Sequence, residues 1–116
     1  MIVVHTSIPI DPECRAEAVE AAEVLAEHSR KEKEMVAYQA MTVVEKPNVI
    51  RFFEQYDDVA ALEAHVETDY YRAFEDELPD FVDGKIETRR FQADEAETIR
   101  FDVDELGIEL DAGRTE

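Results

Sequence analysis

The 116-residue chain has the length of one domain of ordinary size, and it can bury only a modest core unless a partner subunit extends it. Thirty Asp and Glu against twelve Lys and Arg give a formal net charge of -18, which argues against nucleic acid and anionic membranes as partners. With 45% hydrophobic residues in periodic patterns, the acidity belongs to a folded domain rather than to a disordered one.

The acids are spread over nearly every segment, and only four lysines occur: Lys31, Lys33, Lys46 and Lys85. This balance resembles the surface of a protein from a salt-loving cytoplasm. At molar salt the Debye length falls to about 3 Å, so the self-repulsion of such a surface is largely screened. The melting temperature is expected to rise from dilute to molar KCl, and indifference to salt would sink the halophilic assignment. Cys14 has no partner for an intrachain disulfide and reads as a buried small hydrophobe on a helix. Met1 to Val4 is too short and uncharged for a signal peptide, so a cytoplasmic location is expected.

In chain order, residues 2–10 alternate as a strand, with Ile2, Val4, Ile8 and Ile10 on one face and Val3, His5 and Ser7 on the other. Asp11 offers an N-cap and Pro12 a first helical position, starting a helix over 12–31. Its apolar stripe is Cys14, Ala18, Ala21, Ala22 and Leu25. Residues 34–44 form a second strand, with Met35, Ala37, Gln39 and Met41 on one side and Val36, Tyr38 and Thr42 on the other. Pro47 and Asn48 supply a turn into a third strand, Val49 to Tyr56, making a hairpin. Asp57 or Asp58 caps a helix over about 58–67, and Thr68 or Asp69 caps another over about 70–78 that stops before Pro79. Gly84 closes the helical region, and residues 85–92 alternate as a fourth strand.

This βαββααβ order is that of the split βαβ, ferredoxin-like α+β plan, with helices on one face of an antiparallel sheet. The strands are substantially apolar on both parities, so the uncovered face is expected to pair with a second copy. A domain over 1–92 is thus followed by an acidic extension over 93–116, with nine acids and two arginines. Inside it, Thr98 to Val103 alternates like an extra strand suited to a sheet edge.

The sequence holds no Gly-rich phosphate loop, nucleophile elbow, HExxH or Cys/His cluster, which withdraws support from nucleotide, flavin and structural-zinc sites. His28 falls in the last turn of the first helix, where a cation suits the helix dipole. His5, beside Val3 and Ser7, reads first as a hydrogen-bonded core or interface residue and second as a ligand contact. His65 follows Leu62 by three positions, near the buried face of its helix, and the next helix brings Tyr70, Tyr71 and Phe74 nearby. For His65 a pocket-lining role and a satisfied structural role stand side by side. Most of the thirty acids read as solvated. Glu54, between Phe52 and Tyr56 on one parity, requires a partner, and Arg89 or Arg90 of the fourth strand is the expected one.

The pattern of Pro12 after a first strand, then Glu54-Gln55-Tyr56, then Leu62-Glu63-Ala64-His65, then Phe74, resembles the antibiotic biosynthesis monooxygenase (ABM) superfamily, especially its quinol monooxygenase members. The resemblance covers about residues 1–92. It implies a dimeric α+β barrel with a pocket between sheet and helices, and oxygenation without metal, flavin or other cofactor. His65 matches a position that often holds histidine in quinol-type members and tryptophan in heme-degrading ones. Glu75 stands where the heme-degrading branch has its iron-ligating histidine, which counts against heme degradation. Tyr71 matches an aromatic pocket position, Tyr56 stands where tryptophan is usual, and Glu32-Lys33-Glu34 lacks the glycine common before the second strand.

The function so implied is a cofactor-independent monooxygenase acting on a quinol or polycyclic phenol with O2, with His65 as base. Tyr71 and Tyr38 would hydrogen-bond the substrate, Phe52, Tyr56 and Phe74 would stack on it, and His5 is a further candidate to face the ring. A dimeric, non-catalytic binding protein for a hydrophobic aromatic ligand is the alternative.

Overall fold

The structure, a computed structural model, describes residues 1–105. Four strands, β1 (Ile2–Pro9), β2 (Met35–Val43), β3 (Lys46–Tyr56) and β4 (Glu87–Gln92), form one antiparallel sheet in the order β2-β3-β1-β4. Three helices, α1 (Arg15–Ser29), α2 (Val59–Val66) and α3 (Asp69–Phe81), pack against one face of it, completing the ferredoxin-like α+β plan.

The helices begin where capping chemistry places them. Asp11 accepts from the Glu13 amide at 2.9 Å and opens a short 3-10 turn, Pro12–Cys14, from which α1 continues. Asp58 accepts from the Ala61 amide at 2.9 Å and Thr68 from the Tyr71 amide at 3.3 Å, which decides between the paired candidates at both later starts. On α1 the buried residues Ala18, Ala22, Leu25, Ala26 and Ser29 recur at helical spacing. Cys14 is only half-buried; its thiol donates to the Asp80 carbonyl at 3.5 Å instead of entering the core.

Three local expectations are corrected. The hairpin turns at Val44 and Glu45, with Val43 paired to Lys46, so Pro47 and Asn48 lie inside β3. A register shift between Met35 and Ala37 puts Met35 on the same face as Tyr38, because an unpaired residue in a ladder reverses the alternation beyond it. Met35 accordingly packs on the core while Val36 is 52% exposed. Helix α3 runs through Pro79 to Phe81. A proline there forfeits an intrahelical bond, but the final turn is held from outside, by Asp11 N–H to Phe81 O at 2.8 Å and Asp83 N–H to Pro9 O at 2.9 Å.

The core has two parts. One joins α1 and α3 to the sheet through Leu25, Tyr38, Ile50, Phe52 and Phe74; the other joins α2 to it through Ile2, Val4, Tyr56 and Ala61. Each large side chain buried in this way stabilises the fold by about 1.5–3 kcal/mol. Beyond β4 the Ala93 amide still donates to the Met1 carbonyl at 3.0 Å. Thr98 to Val103 then runs outside any strand, with Ile99 and Phe101 exposed, because alternation alone gives no ladder without a neighbouring edge. The rest of the expected extension, 106–116, lies outside the described residues.

Candidate active site

His65 occupies the last turn of α2, one turn beyond Ala61, and both face the sheet and are buried. Its backbone is fastened by the start of α3: the Thr68 amide and hydroxyl donate to the His65 carbonyl at 3.1 and 2.7 Å. The imidazole is 0% exposed. Tyr71, Tyr38, Tyr56 and Tyr70 surround it, with ring centroids 5.0, 5.2, 5.6 and 6.5 Å away. Behind Tyr38 lies Phe52 at 5.7 Å, and Phe74 meets Phe52 edge-on at 5.6 Å.

The two imidazole nitrogens differ. Nδ1 lies 2.8 Å from Oε2 of Glu32, in the turn between α1 and β2. Nε2 is buried and has no hydrogen-bond partner among the described residues. The same Glu32 oxygen accepts from the Tyr70 hydroxyl, and Tyr70 stacks on His28 at 5.1 Å with an interplanar angle of 17°. His28, read as a dipole partner at the end of α1, thus also braces the edge of this cluster.

Glu54 is 8% exposed and lies on the same sheet face as Phe52 and Tyr56, as residues two apart on a strand must. No arginine lies within ion-pair distance of it among the described residues; the expected Arg89 or Arg90 partner is replaced by the Tyr56 hydroxyl, which donates to Oε1. Burial pushes the Glu54 carboxyl above its ordinary range, against the opposing effects of the Tyr56 hydrogen bond and the nearby His65. Burial, reinforced by the Glu54 carboxylate, pushes the phenols of Tyr38 and Tyr56 far up. Burial and the Glu75 charge raise Tyr71, while burial and the bond to Glu32 push Tyr70 up to about 12. The phenols therefore keep their protons at working pH and act as donors. His65 Nε2 is left as the ring nitrogen without a partner among the described residues.

The structure brings Tyr38, Phe52, Tyr56, His65, Tyr71 and Phe74 together on one face of the sheet. It does not bring His5. On β1, His5 is one residue from Val4 and therefore points to the opposite face, where it meets Phe53 at 5.2 Å and Phe91 at 6.1 Å beside Arg51 and Arg89. His5 therefore lies across the sheet from His65 and the other candidate site residues. Glu32 is the residue that the sequence does not reveal, since it sits in a charged loop among thirty acids and only the chain's return to β2 carries it to His65.

Two clefts flank the cluster. One, of about 480 Å³ between α1 and α3, is lined by Leu25, His28, Tyr70, Phe74 and Phe81 beneath an acidic rim. The other, of about 250 Å³, lies beside α2 and is lined by Glu32, Met35, Tyr56 and Ala64. Among the described residues no group of three or more His, Cys, Asp or Glu is arranged to hold a metal ion, and no helix is long and apolar enough to cross a membrane.

Residues 1–77 match the family model described as antibiotic biosynthesis monooxygenase. The chain belongs to that family. The matched ABM segment contains His65, Glu32 and the tyrosines around them, whereas β4 follows it. "Putative monooxygenase YcnE" of Bacillus subtilis is 34% identical over 74 residues, 64% of this chain and 78% of that protein. The uncharacterized protein sll1783 of Synechocystis sp. is 28% identical over 98 residues, 84% of this chain and 67% of that protein. A crystal structure of an antibiotic biosynthesis monooxygenase superposes with a TM-score of 0.76 at 22% identity, covering 80% of this chain and 98% of its own, a likeness of fold.

Proposed function

We propose that this ABM protein is a cofactor-independent monooxygenase that oxidises a quinol or polycyclic phenol with O2. The observation that carries the proposal is the buried imidazole of His65, tied at Nδ1 to a carboxylate and unengaged at Nε2, inside a ring of protonated phenols. Oxygen chemistry is normally left to cofactors. A quinol can supply the electrons itself once a phenolic proton is removed, and a positioned base contributes about 10²–10⁴-fold.

The stoichiometry closes without a further reductant. The quinol gives up four electrons, two in becoming a quinone and two in exchanging a ring C–H for C–OH. O2 accepts all four; one oxygen enters the ring and the other leaves as water. His65 Nε2 takes the phenolic proton, the Tyr38 and Tyr71 hydroxyls steady the developing negative oxygen, and Phe52 and Phe74 pack on the ring. Tyr56 is committed to Glu54 and shapes the wall. The proposed approach is the cleft between α1 and α3, which Tyr70 and Phe74 line.

The same proposal includes a homodimer that covers the open sheet face, where Phe53 is half-buried and Phe91 is 45% exposed. Oxygen consumption with menadiol and with anthrone in molar KCl, after subtraction of the protein-free rate, tests it. Turnover above that rate is expected. A rate equal to the protein-free one across the panel would favour the alternative, a dimeric binding protein for a hydrophobic aromatic ligand.

A further inference from the structure

We infer that Glu32 is the positioning residue of His65: it holds the imidazole as the Nδ1–H tautomer, so that the lone pair sits on Nε2 and faces the aromatic cluster. The inference rests on the oxygenase proposal for its catalytic consequence, but its structural content stands apart from turnover.

Four observations carry it. Glu32 Oε2 lies 2.8 Å from Nδ1 and already accepts from the Tyr70 hydroxyl, so it is the acceptor of this pair and the shared hydrogen belongs to the imidazole. Second, the carboxylate is itself fixed. Its Oε2 also accepts from the Tyr70 hydroxyl, its own amide donates to Ser29 O at 3.1 Å, and its carbonyl accepts from the Met35 amide at 3.2 Å. Third, Nε2 is buried and has no hydrogen-bond partner among the described residues, so a hydrogen placed on it would be left unpaired there. Fourth, the other polar groups around the ring do not compete for Nδ1. Glu54 is engaged by Tyr56, and the Tyr38 and Tyr71 hydroxyls keep their hydrogens and lie beside Ser29 and Glu75. A neutral imidazole has one donor and one acceptor nitrogen, and the bond made by one decides which is the other.

Glu32 therefore stands one step from the reacting atoms. It acts through the imidazole, which without it could present N–H where a base must present a lone pair.

Long-range ¹H–¹⁵N correlation spectra of ¹⁵N-histidine-labelled wild type in molar KCl at mildly alkaline pH read the tautomer directly. His5 and His28 serve as references within the same spectrum. Nδ1 of His65 is expected to be protonated and Nε2 bare; the opposite pattern, or an even mixture, overturns the inference whether or not the protein turns over. Two variants separate position from mere packing. Glu32→Gln keeps a carbonyl able to accept from Nδ1–H and is expected to keep the tautomer, whereas Glu32→Leu is expected to lose it. With menadiol, Glu32→Leu is expected to lower kcat by at least about tenfold with KM within about twofold, and Glu32→Gln to recover part of that loss. Unchanged tautomer and kcat in Glu32→Leu also overturn the inference. A protein with the expected tautomer but no turnover keeps the positioning role and removes the oxygenase proposal instead.

Discussion

Two histidines stand among aromatic rings in this protein, and they differ in almost everything else. His65, at the end of α2, is 0% exposed, bound to a carboxylate at one nitrogen and faced by four tyrosines. His5, in the middle of β1, is half-buried on the uncovered face, with Phe53 and Phe91 edge-on and two arginines nearby. Aromatic neighbours therefore do not mark a site by themselves. What separates the two is sheet parity: one step along a strand moves a side chain from the closed layer to the open one. The closed layer supplies desolvation and a fixed hydrogen bond, and the open layer leaves its aromatic side chains partly exposed.

The sharpest test replaces each histidine in turn. His65→Ala is expected to lower menadiol oxidation by about 10²–10⁴-fold, the range of a general base. His5→Ala should stay within about twofold. Equal losses would erase the distinction between the faces. Next in size is the contrast between adjacent phenylalanines. Phe52 is 2% exposed, and Phe52→Ala is expected to cost about 3–5 kcal/mol in urea unfolding in molar KCl. Phe53→Ala, on the open face, should cost clearly less in the isolated fold and instead weaken self-association in sedimentation. Equal unfolding losses would mean that both faces are core.

A smaller effect concerns Glu54, whose carboxyl is raised by burial. A folded pKa above the unfolded one means that its stabilising contribution is complete below the unfolded pKa and is lost as pH rises through the folded one. Glu54→Gln, neutral throughout and still able to accept from Tyr56, is expected to show a flatter fall of melting temperature from about pH 4 to 8. Parallel wild-type and variant curves would contradict the burial effect. The smallest expected change is at the start of the helix that carries His65. Asp58→Ala removes the cap on the Ala61 amide and should cost about 0.5–2 kcal/mol by thermal or urea unfolding. Asp57→Ala, one residue outside the cap, should leave stability within about 0.5 kcal/mol.

Much of the closed face was legible in the sequence because it rests on periodicity. Phe52, Glu54 and Tyr56 share a face by strand alternation, and His65 follows Leu62 at helical spacing near the buried face, so their convergence needed only the ββα order. The cap at Asp58 or Asp57 bounded the helix to within a residue. Local pattern failed where long-range contacts decide. Pro79 reads as a stop, yet α3 continues because its last turn is held by Asp11 and Pro9 from elsewhere in the chain. The alternation of Met35 and Val36 misled because an unpaired residue in the ladder reversed it. Arg89 and Arg90 read as natural partners for Glu54, but a hydroxyl two residues away on the same strand was nearer.

The sequence by itself determined the α+β order, the helix starts, the family resemblance and the aromatic set around His65, because each depends on spacing along the chain. Only the tertiary structure decided that Glu54 is held by Tyr56 rather than by an arginine, and that Glu32 meets Nδ1 of His65. The second depends on where a turn 33 residues away returns to the helix, and no local periodicity encodes that distance.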